Sequence, residues 1–144
     1  MLRDEVIRYY YGPNGYDYNC AEAMLHGADD YYHLHLPEEA FRLSCGFGGG
    51  CQHDELCGGL ASAVAVLGYL YSVNGRGHQS ELLTQLESQL FERFEQQLRI
   101  TNCKQLKQEN YIPIRKCEKI LVTAADILEQ IISENPILNK PQAD

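Results

Sequence analysis

The sequence contains no Cys-x-x-Cys pair, which removes the usual signature of thioredoxin-like chemistry and of zinc knuckles even though six cysteines are present. It has no excess of positive charge. Twelve Lys and Arg against twenty Asp and Glu leave a formal charge of -8, so neither nucleic acid nor anionic lipid is expected as the main partner. No apolar run approaches the ~20 residues that span a bilayer, and the longest, residues 60–70, falls far short. The first twelve residues mix charges with apolar positions and lack the continuous core of a signal peptide or anchor. Period-two alternation is absent over any useful length, which argues against a sheet protein, and there is no internal repeat or low-complexity linker. No Gly-Lys-Ser or Gly-Lys-Thr follows the glycine-rich stretch, so it is not a phosphate loop. No serine or acidic pair sits in a recognisable catalytic context. These absences leave an expectation of a cytoplasmic protein without membrane insertion. In that compartment lasting disulfides are uncommon, and cysteines more often bind metal or carry thiol chemistry.

What is present reads as helix. At 144 residues the chain suits one domain burying roughly two-thirds of the surface its unfolded form exposes. Cys117, Ile120, Leu121, Ala124, Ile127, Leu128, Ile131 and Ile132 form the i, i+3, i+4, i+7 stripe of an amphipathic helix, with Pro113 expected in its first turn and Pro136 closing it. Residues 80–98 place Leu82, Leu83, Leu86, Leu90, Phe91, Phe94 and Leu98 on one face. Residues 60–71 are apolar nearly all round, as suits a central helix packed on several sides; it is expected to start near Asp54 and to end by Asn74-Gly75. Further helices are expected over residues 2–10, over residues 19–32 and from Pro37, with a short extra turn over residues 101–106. The expected fold is all-α: a single-domain helical bundle of five to six helices over residues 1–138, a glycine-rich loop before the central helix, and a disordered tail over 139–144.

Four cysteines fall at or near four expected helix starts. Cys20 follows the cap residue Asn19, Cys57 lies three residues after Asp54, Cys103 two after Thr101, and Cys117 about one turn after Pro113. A helix start offers unpaired N–H groups and the positive end of the dipole, which stabilise an anion. The thiolate is both nucleophile and metal ligand, so cysteines placed there are expected to have depressed pKa values and to suit either role. The stretch Cys45-Gly46-Phe47-Gly48-Gly49-Gly50-Cys51 allows close backbone approach and supplies free N–H donors. Gly48, Gly49, Gly50 and Gly58 are therefore expected to border a bound group, with Cys45 and Cys51 as additional ligands or a resolving pair. His53, between Cys51 and Cys57, is an auxiliary ligand candidate; His33 and His35 read as solvated. The tyrosines before Cys20, among them Tyr10 and Tyr16, read as amphipathic packing or as the lining of a pocket.

Tyr18-Asn19-Cys20-Ala21-Glu22-Ala23, Gly46-Phe47-Gly48-Gly49-Gly50, Cys57-Gly58-Gly59-Leu60-Ala61-Ser62, and finally Cys103 and Cys117, resemble the C_GCAxxG_C_C family of redox-active proteins. The resemblance covers residues 18–132. It implies a helical domain whose four characteristic cysteines match Cys20, Cys57, Cys103 and Cys117. A related domain in split-Soret cytochromes is associated with an iron–sulfur centre, which implies a [2Fe–2S] cluster here. The chain departs from the pattern at Gly59, where the motif has alanine, and at Ser62, where it has glycine. It has no Cys-x-x-Cys-His and so no c-type haem site.

Four functions compete. The first is an iron–sulfur protein for electron transfer or redox sensing, ligated by Cys20, Cys57, Cys103 and Cys117, whose acidic surface suits a basic redox partner protein. The second is a cofactor-free thiol oxidoreductase in which Cys57 attacks and a neighbouring cysteine resolves. The third is a structural zinc site, and the fourth an all-α binding protein with incidental cysteines. Homodimerisation is compatible with each.

Overall fold

A computed structural model describes residues 1–141. Among these the fold is all-α, with seven helices and no strands: α1 (Leu2–Tyr11), α2 (Cys20–Tyr32), α3 (Glu38–Ser44), α4 (Gly58–Tyr71), α5 (Glu81–Leu98), α6 (Cys103–Asn110) and α7 (Glu118–Glu134). The count exceeds the five to six expected because the turn anticipated after Thr101 continues as the two-turn helix α6.

The apolar stripes build the core. Helix α4 sits centrally against α2, α5 and α7, as its nearly all-round apolar surface requires. Leu60, Ala63, Val66, Leu67 and Leu70 are buried there, facing the α5 stripe through Leu86, Leu90 and Phe94 and the α7 stripe through Leu121, Ala124 and Leu128. Helices α1 and α2 cross very closely. A Cβ on Gly27 would lie 2.7 Å from the Val6 backbone nitrogen, so only glycine permits that approach. At the other end of α4, the buried Ser80 hydroxyl donates to Tyr71 O at 2.8 Å and accepts from Leu83 N at 3.1 Å, capping α5 while fixing its angle to α4.

Three boundaries differ from the sequence reading, each for a local reason. Asp54 does not cap the central helix. The chain through Gly50–Asp54 forms a wide turn in which Cys51, Gln52 and Asp54 all take positive φ, and α4 begins only at Gly58 with Cys57 as its cap residue. Its far end, Tyr71, falls before the Asn74-Gly75 turn as the sequence reading expects. Pro113 does not open the last helix. It lies in a tight turn closed by reciprocal backbone hydrogen bonds between Ile112 and Lys116, and α7 starts at Glu118 with Cys117 as its cap residue. Asn139, assigned to the tail, is held against the end of α4: its N–H donates to Leu70 O at 2.9 Å and its side-chain amide to Ser72 O at 2.7 Å. Residues 142–144 of that tail lie outside the described residues. No helix among the described residues is long and apolar enough to cross a membrane.

Candidate functional site: a four-cysteine chamber

The four helix-start cysteines converge. Cys20 and Cys103 are the first residues of α2 and α6, and Cys57 and Cys117 are the residues just before α4 and α7. Together with Gly49 they line one cavity of about 260 Å³. Cys57 and Cys103 are buried and Cys20 and Cys117 half-buried, so the chamber has a deep side and an open side.

Local chemistry explains how these starts meet. Asn19 caps α2, its side-chain oxygen accepting from Glu22 N at 3.0 Å. The same amide donates to Cys45 O at 3.1 Å and so ties the glycine-rich loop to the cysteine that follows it. Cys57 and Cys103 are drawn together by a short antiparallel bridge between Leu56 and Asn102. In it Cys57 N–H donates to Thr101 O at 2.9 Å and Cys103 N–H donates to Glu55 O at 2.5 Å. Asn102, not Thr101, then caps α6 by accepting from Gln105 N at 2.9 Å. Cys117 is held by α1, its N–H donating to the Tyr10 hydroxyl at 3.2 Å.

The glycines stand where a side chain would enter the site or its walls. A Cβ on Gly58 would meet Phe47 O at 2.7 Å and Cys20 Sγ at 2.9 Å, and one on Gly50 would lie 2.7 Å from Cys103 Cβ. A Cβ on Gly48 would lie 2.6 Å from the Asn19 side chain. Gly49 takes φ +63°, a left-handed conformation that glycine adopts without strain. The two remaining cysteines stand apart. Cys45 and Cys51 are exposed and neither lines the chamber; Cys45 Sγ donates to Phe41 O at 3.6 Å instead. His53 is exposed in the wide turn and is likewise absent from the chamber walls.

The thiol acidities differ from the expectation of helix-start cysteines. Burial pushes Cys57 up to about 12, with negative charge on Cys20 adding to it, while the N–H groups of Leu60 and Gly59 pull the other way. Cys103 and Cys117 are also raised, chiefly by burial, against a lowering by the Lys107 ammonium. Desolvation of an anion outweighs the helix dipole here because the chamber is walled by apolar atoms rather than water.

Around the thiols stand Tyr10, Tyr16 and Tyr111 with Lys107 and Lys116. Tyr10 and Tyr16 belong to the tyrosine group noted before Cys20. Tyr111 and the two lysines were not expected, although Lys107 lies four residues after Cys103 on α6 and so on the same helix face. Lys116 Nζ rests 4.8 Å from the Tyr16 ring centroid. Of the two departures from the motif, Gly59 packs against Leu121, and Ser62 is buried with its hydroxyl lacking a hydrogen-bond partner among the described residues.

Residues 18–131 match the family described as "Putative redox-active protein (C_GCAxxG_C_C)", a span containing all four chamber cysteines. No curated protein and no solved structure matches the chain. With most of its length covered by that match, the chain belongs to the C_GCAxxG_C_C family.

Proposed function

We propose that the chamber holds an iron–sulfur cluster, of the [2Fe–2S] type, through Cys20, Cys57, Cys103 and Cys117, and that the protein transfers single electrons or senses redox state through it. The observation that carries this reading is the convergence of four thiols, and of no other strong ligand type, on one cavity. Four cysteine thiolates are the usual donor set of such clusters. Among the described residues, no three His, Cys, Asp or Glu side chains are arranged to hold a single metal ion. Zinc and a binuclear cluster would draw on the same four thiols, and iron, sulfide and zinc analysis separates them.

When bound, the cluster supplies a one-electron couple. The protein's own residues set its surroundings. The N–H groups of Gly59 and Leu60 face Cys57 and favour its anionic form, and Lys107 does the same for Cys103 and Cys117. Hydrogen bonds and positive charge near the sulfurs favour the more reduced, more negative state and so raise the potential. The glycine walls let backbone approach where a side chain would intrude.

The test is anaerobic purification after growth with added iron, followed by visible spectroscopy and iron, sulfide and zinc analysis of the wild type, Cys57→Ser and the less buried Cys117→Ser. Broad absorption between ~400 and ~600 nm with matching iron and sulfide, lost in both variants while helicity is retained, supports the reading. Colourless wild-type protein, or stoichiometric zinc without sulfide, overturns it.

A further inference from the structure

Charge is distributed unevenly along this acidic chain. Six of the twelve cations, Arg99, Lys104, Lys107, Arg115, Lys116 and Lys119, lie within residues 99–119, against two acids, Glu109 and Glu118. That segment therefore carries +4, and the rest of the chain -12 of the total -8. Helix α6 and the turn into α7 form this segment, and they supply Lys107, Tyr111 and Lys116 to the chamber.

The same turn exposes its apolar residues. Ile114 is 89% exposed, Ile112 50% and Tyr111 43%, three large apolar side chains in four consecutive residues. The turn is held in shape by Pro113 and by the paired Ile112 and Lys116 hydrogen bonds, so the display costs little ordering on binding. Arg115 and Lys119 are exposed beside it. An apolar centre with a charged rim is the anatomy of a protein-recognition patch.

We infer that the Tyr111–Ile114 knuckle and its flanking cations are the docking surface for an acidic electron-transfer protein, brought against the chamber mouth. Its purpose rests on the redox function proposed above; the docking itself does not require a bound cluster. Charge complementarity selects the partner. The acidic remainder of the surface repels such a protein everywhere else, so the field both speeds encounter and turns the partner toward the cysteines. Judged by total charge alone the partner should be basic, and the local arrangement reverses that expectation.

The experiment titrates the full chain with an acidic flavodoxin and, in parallel, with basic cytochrome c, anionic phosphatidylglycerol vesicles and an RNA hairpin, at low salt and at about 0.15 M ionic strength. The variants are Arg115→Glu with Lys119→Glu, Ile114→Ser, and a control pair carrying the same charge change elsewhere, Arg42→Glu with Arg76→Glu. All five positions are exposed, and the thermal midpoint of each variant verifies folding. The expected result is salt-sensitive binding of flavodoxin, weakened about tenfold or more by Arg115→Glu with Lys119→Glu and severalfold by Ile114→Ser, with less than a twofold effect of the control pair. Absence of flavodoxin binding, equal losses in both charge pairs, no loss in Ile114→Ser, or tighter binding of cytochrome c, vesicles or RNA each overturns the inference. Iron and sulfide are measured separately in every sample, so a failure of cluster loading with docking intact strikes only the proposed function.

Discussion

The backbone N–H of Cys117 donates to the phenolic oxygen of Tyr10 at 3.2 Å, joining residues 107 positions apart in the chain. Tyr10 is buried on α1, and through this bond the first helix fixes the position of the last cysteine. Tyr10→Phe keeps the ring and removes the acceptor, leaving the Cys117 N–H without its partner. The expected cost is ~1–2 kcal/mol of unfolding free energy, read by denaturant titration. A change below ~0.3 kcal/mol would show that the bond contributes nothing to holding the chamber.

Two glycines in α4 should respond in opposite directions. At Gly58 an added methyl collides with Phe47 O and Cys20 Sγ, so Gly58→Ala is expected to destabilise by ~1–3 kcal/mol through overpacking. Outside its own helix backbone and chain neighbours, nothing among the described residues lies within 4 Å of a Cβ built on Gly68, so Gly68→Ala is expected to stabilise by up to ~1 kcal/mol. Thermal midpoints of the two variants falling on the same side of the wild type would contradict the packing described here.

Much of this architecture is readable in the sequence, because helix α7, helix α5 and the cap Asn19 rest on local rules: periodicity and side-chain capping. The errors fall where tertiary structure overrides those rules. Asp54 has the chemistry of a cap, but the chain turns through left-handed Cys51 and Gln52 so that Leu56 can pair with Asn102, and that pairing, invisible to any local pattern, sets where α4 begins. Cys20 could be picked out from its cap Asn19, whereas Cys57, Cys103 and Cys117 lie at helix starts that the expected Asp54, Thr101 and Pro113 do not make. The raised pKa values of Cys57, Cys103 and Cys117 are not legible there, since they depend on how deeply the chamber is buried. Lys116 and Tyr111 reach the site through a turn whose Pro113 reads equally well as a helix start.

Ser62 is buried on α4, and its hydroxyl has no hydrogen-bond partner among the described residues. Replacing it by alanine removes an unsatisfied polar group and improves helix propensity, so Ser62→Ala is expected to raise stability by ~1 kcal/mol. A loss of that size in chemical denaturation would reveal a hydrogen-bond partner, such as buried water, and overturn the assignment.

Thiol reactivity should divide the six cysteines. In protein stripped with chelator at pH 8, exposed Cys45 and Cys51 are expected to react with iodoacetamide first, and Cys57 and Cys103 only on the timescale of opening. Peptide mass spectrometry gives the order directly. Early labelling of Cys57 would contradict its burial.

Stability of the same metal-free protein should fall in alkali. Burial holds Cys57 up at about 12, against 9.0 for an ordinary thiol, and raises Cys103 and Cys117 as well, so the folded state keeps protons that the unfolded chain releases. Where the folded state binds more protons, stability declines with rising pH. This contribution is therefore level below about pH 8 and declines through the interval from 9 toward 12. Urea midpoints at pH 7, 9 and 10 would show the trend, and a rise over that range would contradict it.

The four chamber cysteines come from positions 20, 57, 103 and 117, separated by 37, 46 and 14 residues. Any group bound to all four is a cross-link that closes three loops at once. Each such closure removes configurational freedom from the unfolded chain, worth ~3 kcal/mol for a 15-residue loop in the chain-entropy account of disulfides. The glycine-lined chamber is then also a fastener: whatever it holds ties the beginning, middle and end of the polypeptide into one knot, and release of that group loosens all three together.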